Sequence, residues 1–96
     1  MGNIERQPLS VHGAQQLDLR ARRIKLHLAQ NVTKARHRAG LTQLQLAKAA
    51  ELSRATVHLI EAGICDARLS TVARLAEALG LDSLDLLAQG ASEGIG

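Results

Sequence analysis

The sequence predicts an all-α fold: a compact five-helix domain with an extended N-terminal helix or arm. Three observations carry that prediction. Apolar residues make up 46% of the chain, yet none is Phe, Trp or Tyr, so the core has to be built from Leu, Ile, Val and Ala, a mix that favours helix. Apolar positions recur at steps of three and four, and no strand-like run bounded by hairpin signals interrupts them. Residues that cap or stop helices (Gly40, Thr42, Ser53, Gly63, Ser70, Gly80) punctuate the chain between those runs. A length of 96 residues allows one domain at most.

Residues 1–13 (MGNIERQPLSVHG) hold the only proline and two glycines and read as a flexible arm. From Ala14 the series Leu17, Ala21, Ile24, Leu28, Val32, Ala35 draws one apolar stripe on a helix lasting to about His37. The alternation Leu17/Leu19 and Ile24/Leu26/Leu28 also suits a strand, but the Arg- and Ala-rich surroundings favour helix. Gly40 ends it, because glycine takes the left-handed cap conformation without strain. A second helix opens on the capping box Thr42-x-x-Gln45 and turns Leu46, Ala47 and Ala50 inward. Ser53 caps a third helix, which points Val57 and Ile60 at the core and stops at Gly63. The loop ICDAR leads to Ser70, the predicted cap of a fourth helix with the stripe Val72, Leu75, Ala76, Leu79, closed by Gly80. Asp82 or Ser83 starts a short fifth helix through Leu84 and Leu87. The helical domain therefore spans residues 14–88, residues 89–96 read as a flexible tail, and there is no internal repeat.

The net charge of +3 is unevenly placed. Residues 1–40 carry eight Lys/Arg against Glu5 and Asp18, a balance of +6, whereas residues 41–96 carry four against seven acids, a balance of −3. A basic half suits a polyanion partner, and equally a solvated helix face. The missing aromatics argue against single-strand nucleic-acid modules, which stack bases on aromatic rings. One cysteine, Cys65, excludes an internal disulfide framework. With no span-length apolar run and no signal-peptide core, a cytoplasmic protein without a membrane role is expected. His12, His27, His37 and His58 are scattered without ligand spacing. No metal, no cofactor and no catalytic activity are expected.

Residues 42–63 have the geometry of two helices joined by a tight turn, a helix-turn-helix. Ala47 is small where the helices approach, Leu52 fills the turn, and Val57 and Ile60 anchor the second helix from beneath. Arg54, Ala55, His58 and Leu59 are left on the outer face, in the part of such a helix that reaches base edges in the major groove. The stretches KARHRAGLTQLQLA, ELS, RATVHLIEAG and TVARLAEALGL, within residues 28–88, resemble the Cro and phage-repressor-type helix-turn-helix family, a five-helix DNA-binding domain.

That resemblance implies double-stranded DNA as partner and assigns roles. Gln43 matches a glutamine that braces the DNA backbone, and Arg36 with Glu61 matches a structural ion pair between the first and third helices. Arg54 is the best candidate for direct readout, since a guanidinium bridges O6 and N7 of guanine; a phosphate contact is the alternative. Ala55 and Leu59 stand where the family often has polar base readers, leaving thymine methyls as their targets, and His58 suits a base, a phosphate or plain exposure. Thr42, Thr56 and Arg68 are candidate backbone contacts. Arg22 and Arg23, with Arg20 and Lys25, are either further backbone contacts or a solvated or dimer face. Glu51 occupies a turn position where the family commonly has glycine, which implies a strained φ or a different turn.

Leu17 and Ile24 on the first helix, and Leu84, Leu86 and Leu87 on the fifth, are candidate dimer contacts; packing within the protomer is the alternative for the first helix. The expected function is a transcriptional regulator that represses or activates from a palindromic operator as a homodimer, associated with the nucleoid when bound. The alternatives are an antitoxin that regulates its own operon and sequesters a toxin, or a protein-interaction module on the same fold; the protein partner would be a toxin, an anti-regulator or RNA polymerase.

Overall fold

A computed structural model describes residues 11–89, with side chains from Asp18 onward; the expected arm residues 1–10 and tail residues 90–96 lie outside the described residues. Five helices follow one another: α1 Val11–Arg38, α2 Gln43–Ala50, α3 Arg54–Glu61, α4 Leu69–Leu79 and α5 Ser83–Leu87, and no strand occurs among the described residues. Helix α1 starts at Val11, so residues 11–13 belong to the helix and not to the arm. One interior glycine, Gly13, costs about 1 kcal/mol, too little to stop a helix of this length.

The caps explain the boundaries. Thr42 Oγ1 accepts from the Gln45 amide at 3.0 Å while Gln45 Oε1 accepts from the Thr42 amide at 2.8 Å, the reciprocal box that the sequence predicts. Ser53 Oγ accepts from the Thr56 amide at 3.0 Å, and Asp82, not Ser83, caps α5 through the Leu84 amide at 2.8 Å. Ser70 does not cap α4. The helix begins at Leu69, with Arg68 at the cap position and no side-chain bond there. The Arg68 carbonyl accepts from Val72 N–H at 3.1 Å, which closes the first turn ahead of the serine.

Helices α1 to α4 end in the same way, with an amide two or three residues past the helix reaching back five positions: Leu41 to Arg36, Leu52 to Ala47, Ile64 to Leu59 and Leu81 to Ala76. Three of these ends place glycine at positive φ; the fourth places Glu51 there, at φ 59° and ψ 45°. The strained turn is the alternative realised.

The core gathers Leu28 and Val32 of α1, Leu46, Ala47 and Ala50 of α2, Val57 and Ile60 of α3, Val72, Leu75 and Ala76 of α4, and Leu86 of α5. The apolar stripe predicted along α1 is only half used. Leu28, Val32 and Ala35 are buried, but Ala21 and Ile24 are exposed, because only the loop after α3 and the edge of α4 and α5 come beside this part of the helix, leaving open grooves. A helix of 28 residues is about 42 Å long, which accounts for most of the molecule's 51 Å length.

Asn31, 2% exposed, is the buried polar residue of the described chain. Its Nδ2 donates to the carbonyls of Ala88 at 2.7 Å and Leu86 at 2.8 Å, with Asp85 O at 3.3 Å. A helix of five residues is too short to hold itself; this amide fastens the free carbonyls at its C-terminal end to α1.

Candidate nucleic-acid interface

Helix α3 presents the candidate reading surface, and three neighbours fix its attitude. Val57 and Ile60, buried at a spacing of three, commit one face to the core. Arg54, Ala55, His58 and Leu59 are consequently all exposed on the other. The Ser53 cap holds the start of the helix, where Thr56 is half-buried and its Oγ1 lies 2.8 Å from Ser53 Oγ.

The far end of α3 is held by charge. Arg36 Nε donates to Glu61 Oε2 at 2.7 Å and Nη2 donates to Oε1 at 3.0 Å, a bidentate fork with both side chains largely out of water (12% and 7% exposed). The remaining nitrogen, Nη1, donates to the Leu41 carbonyl at 2.8 Å, just ahead of α2. Gln43 Nε2, on the first turn of α2, donates to Glu61 Oε1 at 3.1 Å. Burial pushes the Glu61 carboxyl up, but hydrogen bonds from Arg36 and Gln43, with the Arg36 charge and Thr33 behind them, hold it below its ordinary value of 4.5. The bond to Glu61 correspondingly raises Arg36, against a smaller cost of burial. One carboxylate thus ties together α1, the start of α2 and the end of α3.

Gln43 is therefore placed by Glu61, and an amide nitrogen with two hydrogens keeps one for a second acceptor. Thr42, spent on capping, remains exposed. Glu51 opens the turn between α2 and α3, and its carbonyl accepts from Arg74 Nη1 of α4 at 3.3 Å. Gly63 follows α3 at φ +78°, a backbone conformation that favours glycine, and a Cβ there would sit 3.1 Å from Leu26 Cδ2, so that exposed side chain would have to shift by a few tenths of an ångström.

Beyond Gly63 the loop supplies one exposed cation, Arg68. The structure brings α1 to its aid on one side: Arg22 and Lys25 line a shallow groove with Gly63 and Ile64, Asp18 among them. Arg23, one residue on and so about 100° round the helix, is exposed away from that groove.

The dimer candidates separate. Leu86 is 0% exposed and belongs to the core, so it is withdrawn from any protomer surface: the clamp by Asn31 turns this side of α5 inward. Leu87 is half-buried against the core, whereas Leu84 is 75% exposed. Ile24 is 49% exposed, and the side chain of Leu17 lies outside those described. Sequence reasoning missed Asn31. The available signal was its place on the Leu28–Val32–Ala35 face of α1, a polar residue inside an apolar stripe. Among the described residues no group of His, Cys, Asp and Glu is arranged to hold a metal ion, and no helix is long and apolar enough to cross a membrane.

Comparison with known proteins agrees with this geometry. A family model described as a helix-turn-helix domain matches residues 27–89. Among solved structures, that of the hypothetical transcription factor NHTF from Neisseria superposes with a TM-score of 0.69 at 28% identity, over 73% of this chain and 80% of that one. No curated protein matches the chain.

Proposed function

The chain belongs to the helix-turn-helix domain family, DNA-binding regulators, and on that premise we propose that it occupies a palindromic operator as a homodimer, each copy laying α3 in the major groove. The observation that carries this reading is the locked attitude of α3: core contacts on one face, the Arg36–Glu61–Gln43 network at its end, and Arg54 exposed at its start. Arg54 bridges a guanine, Ala55 and Leu59 meet thymine methyls, and His58 lies beside them within reach of a base or phosphate. Gln43, Thr42, Thr56 and Arg68 hold the backbone, with Arg22 and Arg23 extending the basic track. Two such helices related by a two-fold axis would reach half-sites about one DNA turn, roughly 34 Å, apart. Regulation by occlusion of the operator follows, and the site of action is the nucleoid within the cytoplasm.

A partly apolar reading face supports a second reading, in which a protein partner such as a toxin, an anti-regulator or RNA polymerase engages the same domain. Selection of bound sites from random duplex DNA by the purified chain separates the two. An enriched palindrome establishes the first reading, and absence of any enriched motif refutes it. Within the selected site, Arg54→Ala should abolish preference at one base pair per half-site, a loss of about 1–3 kcal/mol. Uniform weakening across all sequences would instead assign Arg54 to phosphate.

A further inference from the structure

We propose that the first half of α1, with the apolar groove beside it, is the seat of a second copy of this chain, whose own α1 lies antiparallel across it with Ile24 near the two-fold axis. The inference rests on the dimer of the preceding section and assigns its surface.

The groove, of about 270 Å³, runs between α1 and the side of the domain formed by the loop before α4 and by α5. Ala21, Ile24 and Leu28 form one wall; Leu69, Val72 and Leu87 form the other. It continues the core stripe of α1 into the open, since Leu28 and Val72 are buried while Ile24 is 49% and Leu69 79% exposed. The register places Ala21 beside Ile24, and a small residue there lets two helices cross closely.

Charge selects the occupant. The uncovered half of α1 is basic, with Arg20, Arg22, Arg23 and Lys25 flanking the stripe and Asp18 as its one acid among residues 18–27. Across the groove from Lys25, which also lines it, stands Asp66, and α5, which supplies Leu87, carries Asp85 and is capped by Asp82 outside the groove. A second α1 offers an apolar stripe for the groove and cations for its acidic rim. In a two-fold arrangement each copy supplies both halves, as a self-complementary interface requires.

Sedimentation of the full chain tests this, with Ile24→Glu and Leu69→Lys as variants. Both residues are exposed in the protomer, so each variant should keep the helical signal and, at a dilution where wild type and variant are both monomeric, the melting temperature. Each should raise the dimer Kd about 30-fold or more, as loss of a central contact does. Oxidation of Ile24→Cys in a Cys65→Ser background should yield a disulfide-linked dimer. That measurement also stands on its own should either charged variant fail to fold. A monomeric wild type, a dimer indifferent to both variants, or a failure to cross-link would each overturn the surface and leave the groove to the chain's own ends or to a foreign partner. The operator reading is scored separately: a monomer that still selects a duplex motif removes this surface alone, and a dimer that selects none removes DNA readout alone.

Discussion

Residues 18–27 and 28–38 are two stretches of one helix with one apolar register, and the structure treats them differently. In the second stretch Leu28, Val32 and Ala35 enter the core, Asn31 holds α5 and Arg36 holds α3. In the first, Leu19, Ile24 and Leu26 keep about half their surface in water. Periodicity is the same in both; the second packs into the core of the domain, whereas the first meets only its edge, across open grooves. An amphipathic pattern states which side of a helix seeks cover, and leaves open whether its own domain supplies it.

That contrast can be broken at its braced end. Glu61→Lys should cost the largest amount, about 3 kcal/mol in urea unfolding, by leaving the Arg36 charge largely buried without its partner, and duplex affinity should fall with it. A variant that folds and binds as well as the wild type would refute the bracing role. The milder Glu61→Gln checks the electrostatics. Because the folded Glu61 is held below its ordinary value of 4.5, its stabilising contribution is complete above that pH and is lost as pH falls through the folded value. The glutamine variant should therefore show a flatter acid limb. Asn31→Ala comes next, at about 2 kcal/mol, because it strips the donor from the Leu86 and Ala88 carbonyls. Amide exchange should accelerate first in α5 while α2 and α3 stay protected, and uniform acceleration would contradict a local clamp.

The braced region also tolerates strain, and Glu51→Gly should raise stability by about 1 kcal/mol by giving the left-handed position to a residue that suits it. A drop in melting temperature would show that Glu51 contributes more than it costs. At the unbraced end Leu19→Ser should change stability by less than about 0.5 kcal/mol. A larger loss would mean that this stretch is covered within the protomer after all.

What was legible in the sequence was local. The Thr42–Gln45 box and the Ser53 cap close over three residues, so their spacing alone declares them. Glu51 stood out through family likeness, because it occupies a turn position where the family commonly has glycine, and the structure gives it the positive φ. The Arg36–Glu61 pair spans 25 residues and came from family likeness; its fork and the Gln43 contact came from the structure. Ser70 misled because its capping propensity was read as the start of the helix, whereas α4 begins one residue earlier, at Leu69, without any side-chain cap. Leu84 and Leu86 were indistinguishable in a helix of five residues, too short for a period to appear. Asn31 stayed hidden because its partners lie 54 to 57 positions away.

Those long separations bear on how the chain reaches this structure. The pairing of α2 with α3 links close neighbours in sequence and can form early, whereas the Asn31 clamp must wait for nearly the whole domain to be present. On a ribosome, which releases a chain from its N-terminus at about 5–20 residues per second, α1 would spend seconds with Leu28 and Val32 uncovered before α5 emerges. The closing step of folding is therefore the arrival of the last helix upon the first.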